Sequence, residues 1–393
     1  MSATTDLDTG PLTWVKGEID LALGRASEAI AAARANKDRA KNLQFAQTHL
    51  HQVRGALSIV GLDGLTAFAD SLDRLLAELA REERPYSDAL ASLADRSLAA
   101  VGNYLDELSH GVPDQSLRLL PLMSELAVAR GQQPPRASDL FYPDLGQQPS
   151  RKAARSAPDA GRKLSSQIRS LRTQFQSGLL GWLRKPDDAG GPLAMANVCG
   201  AIEAAMTSPT ARNFWWTAGA FFDTLANGSF ARDPFAKYVS SRIDFQLKRI
   251  AVGQTAPPER LHREMLYVIA TAPQIGPSGR EVRGTYDLER LVPPPGSALC
   301  DQPLAPLLAR LRTLFAAARD TWDHFASGAA AALPQFDEDL RAAIEASAPL
   351  GRPAFRHLLD TLGEVVQWLR KDPIQVNDQI GLEVASAVML AET

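Results

Sequence analysis

Cysteine is nearly missing from this chain. Cys199 and Cys300 are the only two in 393 residues, which excludes a disulfide framework and a four-cysteine zinc site and fits a reducing compartment. Aromatic residues are sparse at 7%, and β-branched runs are rare, so little favours strands. No run reaches the roughly 18 uninterrupted apolar residues of a spanning helix, so no membrane insertion is expected. The opening MSATTDLDTGPLTWVKGE lacks the basic region and apolar run of a secretory signal, and a cytoplasmic location is expected. Charge of one sign is also lacking. With 42 basic against 45 acidic side chains and a net charge of −3, nothing points to nucleic acid or an anionic membrane as partner.

What is present is Ala, Leu, Arg, Glu and Asp in helical patterns, and the expected fold class is all-α. Amphipathic segments at 12–30, 39–61, 63–83, 86–109 and 115–130 are separated by Asn36-Lys37-Asp38, Gly61–Gly64, Arg84-Pro85 and Gly111-Val112-Pro113. Short breaks between amphipathic helices predict an antiparallel up-down bundle of four or five helices over 9–131, after a disordered tail at 1–8. Residues 132–161 are rich in Pro, Gly, Ser and Gln and are expected to be a linker, its apolar island Leu140-Phe141-Tyr142 tacking onto a neighbouring domain. A second helical bundle is expected over 162–295, with a Pro/Gly-rich break at 273–303. Further helices follow over 296–393. The last of them is patterned to the final residues, which predicts that the chain continues in a longer parent protein.

The helix from Leu43 to Val60 carries the chemistry. Leu43, Ala46, Leu50, Val53, Leu57 and Val60 step by three and four, the seam of a bundle helix. At about 100° per residue, His51 lies roughly 130° and Gly55 about 170° from the centre of that seam. His49 lies only about 70° from it, at the bundle's flank. A glycine inside a helix costs about 1 kcal/mol relative to alanine. One facing away from the core contributes nothing to packing, so its use is clearance for something approaching from outside. Arg54 stands at the shoulder of the same face, where a cation can neutralise an anionic group at the imidazole. A free imidazole titrates near about 6.5 and is a competent nucleophile at neutral pH. An exposed histidine, a neighbouring cation and a bare turn together describe a phosphoryl acceptor read by a docking partner.

Other constellations are weaker. His49 and His51, two apart on a helix, point to different sides and do not make a chelating pair. His110 falls at a helix C-terminus, where the helix dipole accounts for it. His262 and His357 have no glycine four residues on, and in 324-HFASG-328 the residue before the glycine, Ser327, is not basic. The cluster 214-FWW-216 with Phe221 and Phe222 is expected in a core. Gly190-Gly191-Pro192 lacks the lysine spacing of a phosphate-binding loop, and no Gly-rich kinase box occurs anywhere. By itself this chain has no means of making phosphohistidine from ATP.

The run 51-HQVRGAL-57 resembles the His-x-x-Lys-Gly signature of histidine phosphotransfer (Hpt) domains. In addition, 14-WVKGEI-19, 119-LLPLMSELAVARG-131, 140-LFYPDL-145, 225-LANGS-229, 245-FQLKR-249, 266-LYVIATAP-273 and 286-YDLERL-291 resemble the N-terminal region of ChpA/PilL-type hybrid histidine kinases. Those chemotaxis-like proteins control type IV pili and twitching motility, and they share this region with the smaller FimL. The resemblance implies that His51 is the phosphoacceptor, Arg54 the basic position (Arg standing for the commoner Lys) and Gly55 the docking glycine, with Gln47 assisting. It implies response-regulator receiver domains and a CheA-like kinase core, in cis or in trans, as partners, and recruitment to the cell pole. The chain itself would bind no cofactor or metal, Mg²⁺ being supplied by the receiver. The alternative it implies is a non-phosphorylated, FimL-like helical scaffold that binds signalling or polar partners, with His51 vestigial.

Overall fold

The computed structural model describes residues 9–35, 38–148, 160–371 and 377–392. The expected tail at 1–8, Asn36-Lys37 and the stretch 149–159 of the expected linker lie outside them. The fold is all-α, and no strand occurs among the described residues. The backbone divides into two units. The first holds residues 1–114, 118–134 and 293–393; the second holds 115–117 and 135–292.

The first unit opens with α1 (Thr9–Arg34), α2 (Arg39–Val60), α3 (Asp63–Ala80), α4 (Asp88–Ser109) and α5 (Leu120–Ala129). The repeats that pattern these helices become the core: Ile19, Ala26 and Ile30 of α1, Leu43, Ala46, Leu50, Val53 and Leu57 of α2, Phe68, Leu72 and Leu76 of α3, and Leu98, Val101 and Leu105 of α4 are all buried. Each large aliphatic or aromatic side chain so buried is worth about 1.5–3 kcal/mol of transfer free energy. Local signals stop and start the helices. Gly61 takes a left-handed φ of 81° after α2, and the N–H of Leu62 returns to the carbonyl of Leu57 at 3.1 Å, a Schellman closure that glycine permits without strain. Ser87 caps α4 by accepting the N–H of Leu90 at 3.3 Å. His110 ends α4, with its Nδ1 2.7 Å from the carbonyl oxygen of Asp106.

The same unit contains a C-terminal four-helix bundle, numbered after those of the second unit: α13 (Leu304–Ala326), α14 (Leu333–Ser347), α15 (Pro353–Leu369) and α16 (Asp378–Glu392). Its core is built on Phe315, Trp322, Phe336, Leu340, Leu359 and Val366. Asn103 of α4 donates to the carbonyls of Cys300 and Gln302 at 2.8 Å each. The buried Arg118 pairs with Glu107, which also accepts from Arg352 at 2.7 Å. These bonds tie residues 298–302 and the start of α15 to α4 within one unit.

The second unit comprises α6 (Ala160–Arg184), α7 (Gly190–Ala205), α8 (Pro209–Ala226), α9 (Pro234–Ile250), α10 (Glu259–Thr271), α11 (Pro277–Thr285) and α12 (Leu288–Leu291). Phe214, Trp215, Trp216, Phe221 and Phe222 of α8 are all buried in its core. Leu140 and Phe141, the island of the expected linker, are buried as well, and Phe141 meets Tyr267 edge to face at 5.6 Å. Gly190-Gly191-Pro192 forms the first turn of α7. There a Cβ on Gly191 would stand 2.6 Å from the carbonyl oxygen of Gly178 in α6, so the two helices cross backbone to backbone. The break expected at 273–303 is corrected in part, because α11 and α12 form inside it. Pro277 suits a first helical turn, and Asp223 of α8 accepts the N–H groups of Ser278 and Gly279 at 3.1 and 3.3 Å. That cap comes from a residue more than 50 positions away, so local pattern does not reveal it.

Candidate functional site

The outer face of α2 forms as its periodicity dictates. His51 and Gly55 are exposed, Gln47, His49 and Arg54 are half-buried, and Leu50 and Val53 between them are buried. Nothing comes within 4 Å of a Cβ built on Gly55, so the bare turn is open to solvent.

Arg54 joins this face to α3. Its Nη1 donates to Asp70 Oδ1 at 2.6 Å and lies 3.6 Å from Asp73 Oδ2. Asp70 in turn pairs with Arg74 at 2.6 Å. The other arm of Arg54, Nη2, stands 3.0 Å from His51 Nδ1. A guanidinium has donors only, so Nδ1 is the acceptor of that bond, and in the neutral ring the proton sits on Nε2. The nitrogen turned to solvent is therefore an N–H donor.

This arrangement has two chemical consequences. A phosphoryl group needs an outward lone pair, which this face offers only when Arg54 lets go. The charge of Arg54 is also already engaged by two carboxylates, whereas the sequence pattern presents it as a free partner for an incoming anion. As built, the face can donate hydrogen bonds through His51 and admit another backbone at Gly55. One turn beyond Gly55, Ile59 is 86% exposed and adds an apolar knob.

The structure places His51, Arg54 and Gly55 within one turn of α2, with Gln47 one turn before His51. The sequence reading missed Asp70, Asp73 and Arg74, although their i, i+3 and i+4 spacing on α3 marks one charged stripe. It also missed Ile59, a large apolar residue outside the seam. The remaining histidines lie elsewhere. His262 is buried, with its Nε2 2.9 Å from Thr217 Oγ1, and burial lowers its pKa from 6.5 to about 4. Among the described residues no group of three or more His, Cys, Asp or Glu is arranged to hold a metal ion, and no helix is long and apolar enough to cross a membrane.

A family model described as the FimL C-terminal domain matches residues 12–125, and one described as the FimL scaffold protein second domain matches residues 160–299. Over both stretches the chain is similar to FimL. Scaffold protein FimL of Pseudomonas aeruginosa is 25% identical to it over 281 residues, which is 71% of this chain and 50% of FimL. The chain thus spans about half the length of that relative. Here the stretch matched by the C-terminal FimL model precedes the one matched by the second-domain model. These matches support the FimL side of the expected resemblance and lend none to the kinase side. No solved structure matches the chain.

Proposed function

We propose that this chain is a FimL-like helical scaffold, cytoplasmic and recruited to the cell pole, that docks a signalling or polar partner of the type IV pilus system through the outer face of α2 without accepting a phosphoryl group. The observation that carries this reading is the likeness to scaffold protein FimL, which reaches both the first bundle and the second unit. The bond from Arg54 to His51 Nδ1 supports it, because that bond leaves the outward nitrogen protonated. His51, Gly55 and Ile59 then serve as docking contacts: a donor, a clearance and an apolar knob.

A second reading rests on the exposure of His51 and the open space at Gly55. In it His51 exchanges a phosphoryl group with the aspartate of a receiver domain, fed by a CheA-like kinase core, with Mg²⁺ held by the receiver. Arg54 must first release Nδ1 and turn toward the phosphoryl group.

One experiment separates the two. The chain is incubated with phosphorylated receiver domains of the pilus system, and separately with a CheA-like kinase core and ATP, while acid-labile phosphate is followed on wild type and His51→Gln. The scaffold reading expects no label on either protein. Label on the wild type that disappears in His51→Gln overturns it in favour of the relay.

A further inference from the structure

The first helix carries a second seam that the bundle leaves uncovered. Its core face is accounted for by Ile19, Ala22, Leu23, Ala26 and Ile30. On the opposite face Trp14, Gly17, Leu21, Gly24, Glu28 and Ala31 again step by three and four, and all are exposed. Trp14 is 88% and Leu21 56% exposed, and a Cβ on Gly17 or Gly24 would meet nothing within 4 Å. A helix apolar on two faces ordinarily buries both.

The pattern contains its own complement. Large or long side chains (Trp14, Leu21, Glu28) occupy one set of heptad positions, and small residues (Gly17, Gly24, Ala31) occupy the other. In an antiparallel helix pair the first set of one helix packs against the second set of its partner. A two-fold axis crossing α1 between Ala22 and Leu23 lays Leu21 of each copy over the bare turn at Gly24 of the other. The same axis lays Trp14 over Ala31 and the stem of Glu28 over Gly17. Beside the seam, Glu18 and Arg25 are exposed and make no ion pair among the described residues. In this register, and not in a parallel one, Glu18 of each copy faces Arg25 of the other, two opposite-charge pairs related by symmetry. A surface complementary to itself in both shape and charge is what an isologous dimer requires.

We infer that α1 is a homodimerisation helix, pairing antiparallel with α1 of a second copy of this chain through Trp14, Leu21 and Gly24, with Glu18–Arg25 pairs on the flank. The inference is independent of the reading of His51, which lies on another helix.

Sedimentation equilibrium of the full 393-residue chain over about 1–100 μM tests it. A concentration-dependent dimer is expected, and Leu21→Arg should raise its dissociation constant about tenfold or more. Glu18→Arg and Arg25→Glu should each weaken it by setting like charges face to face, while the double variant carrying both reversals recovers most of the loss. Since these positions are exposed, far-UV circular dichroism and the urea midpoint of the monomer should not move. If Leu21→Arg disturbs folding, the recovery in the double reversal still decides the question. A monomer at every concentration, or a dimer indifferent to the single charge reversals, overturns the inference.

Discussion

Two regions of this protein each hold a histidine and a helical glycine and use them in opposite ways. On the outer face of α2, His51 is exposed and Gly55 meets nothing. In the second unit, His262 is 3% exposed, and Gly191 is so close to α6 that a Cβ would lie 2.8 Å from the backbone N of Trp182 as well as 2.6 Å from the Gly178 oxygen. In the core, glycine is a packing requirement and histidine a neutral hydrogen-bonding group. On the surface, glycine costs helix stability and the histidine keeps a ring nitrogen free for a visitor. Residue type alone does not distinguish the two uses; what stands within a few ångström does.

The largest expected effect breaks the core side of this comparison. Gly191→Ala forces apart a backbone-to-backbone crossing and should lower the stability of the second unit by about 3 kcal/mol or more, read as a fall in the urea midpoint. Gly276→Ala should act in the same direction, since its Cβ would fall 2.2 Å from Asp223 Oδ2.

Acid should act on His262. The native ring holds its proton only below about 4, whereas in the unfolded chain it does so below about 6.5. The unfolded state therefore binds the proton first as pH falls. The contribution of His262 is fully present above 6.5, is lost progressively down to about 4, and amounts to roughly 3 kcal/mol. Stability curves of wild type and His262→Leu should accordingly converge between pH 7 and pH 4. Curves that stay parallel would show that the ring is not held neutral.

On the surface side the signs change. Gly55→Ala should raise stability by about 1 kcal/mol, because helix propensity improves and nothing is displaced. The bulkier Gly55→Leu should weaken partner docking while the fold stays intact, as binding and melting measured on one preparation would reveal. Smallest of all, His51→Gln should leave the urea midpoint within about 0.5 kcal/mol of wild type; a larger loss would mean that the contact with Arg54 serves the fold and not a partner.

Much of the architecture was legible in the pattern. The helix expected at 39–61 forms from Arg39 to Val60 because its stop is local: Gly61 can take the left-handed conformation there. The second-unit aromatics were recognisable as core since five of them fall within one helix. By contrast, α11 went unseen. Gly276, Gly279 and Gly284 dilute its pattern, and its cap is supplied by Asp223 from α8. The site divides along a similar line: on α2 only Ile59 went unnoticed, whereas Asp70, Asp73 and Arg74 on α3 all did.

The sequence by itself determined which way each side chain of α2 faces. A regular helix locks every residue to one phase of its turn, and the buried seam sets the origin. It therefore put His51 and Gly55 outside. Only the tertiary structure decided that Arg54 would bond to Asp70 and to His51 Nδ1, and that Gly191 would touch α6 while Gly55 touched nothing. Those outcomes depend on how far apart two helices pack, at what angle and in which register. Many side chains distant in sequence settle these quantities together, so no local period encodes them.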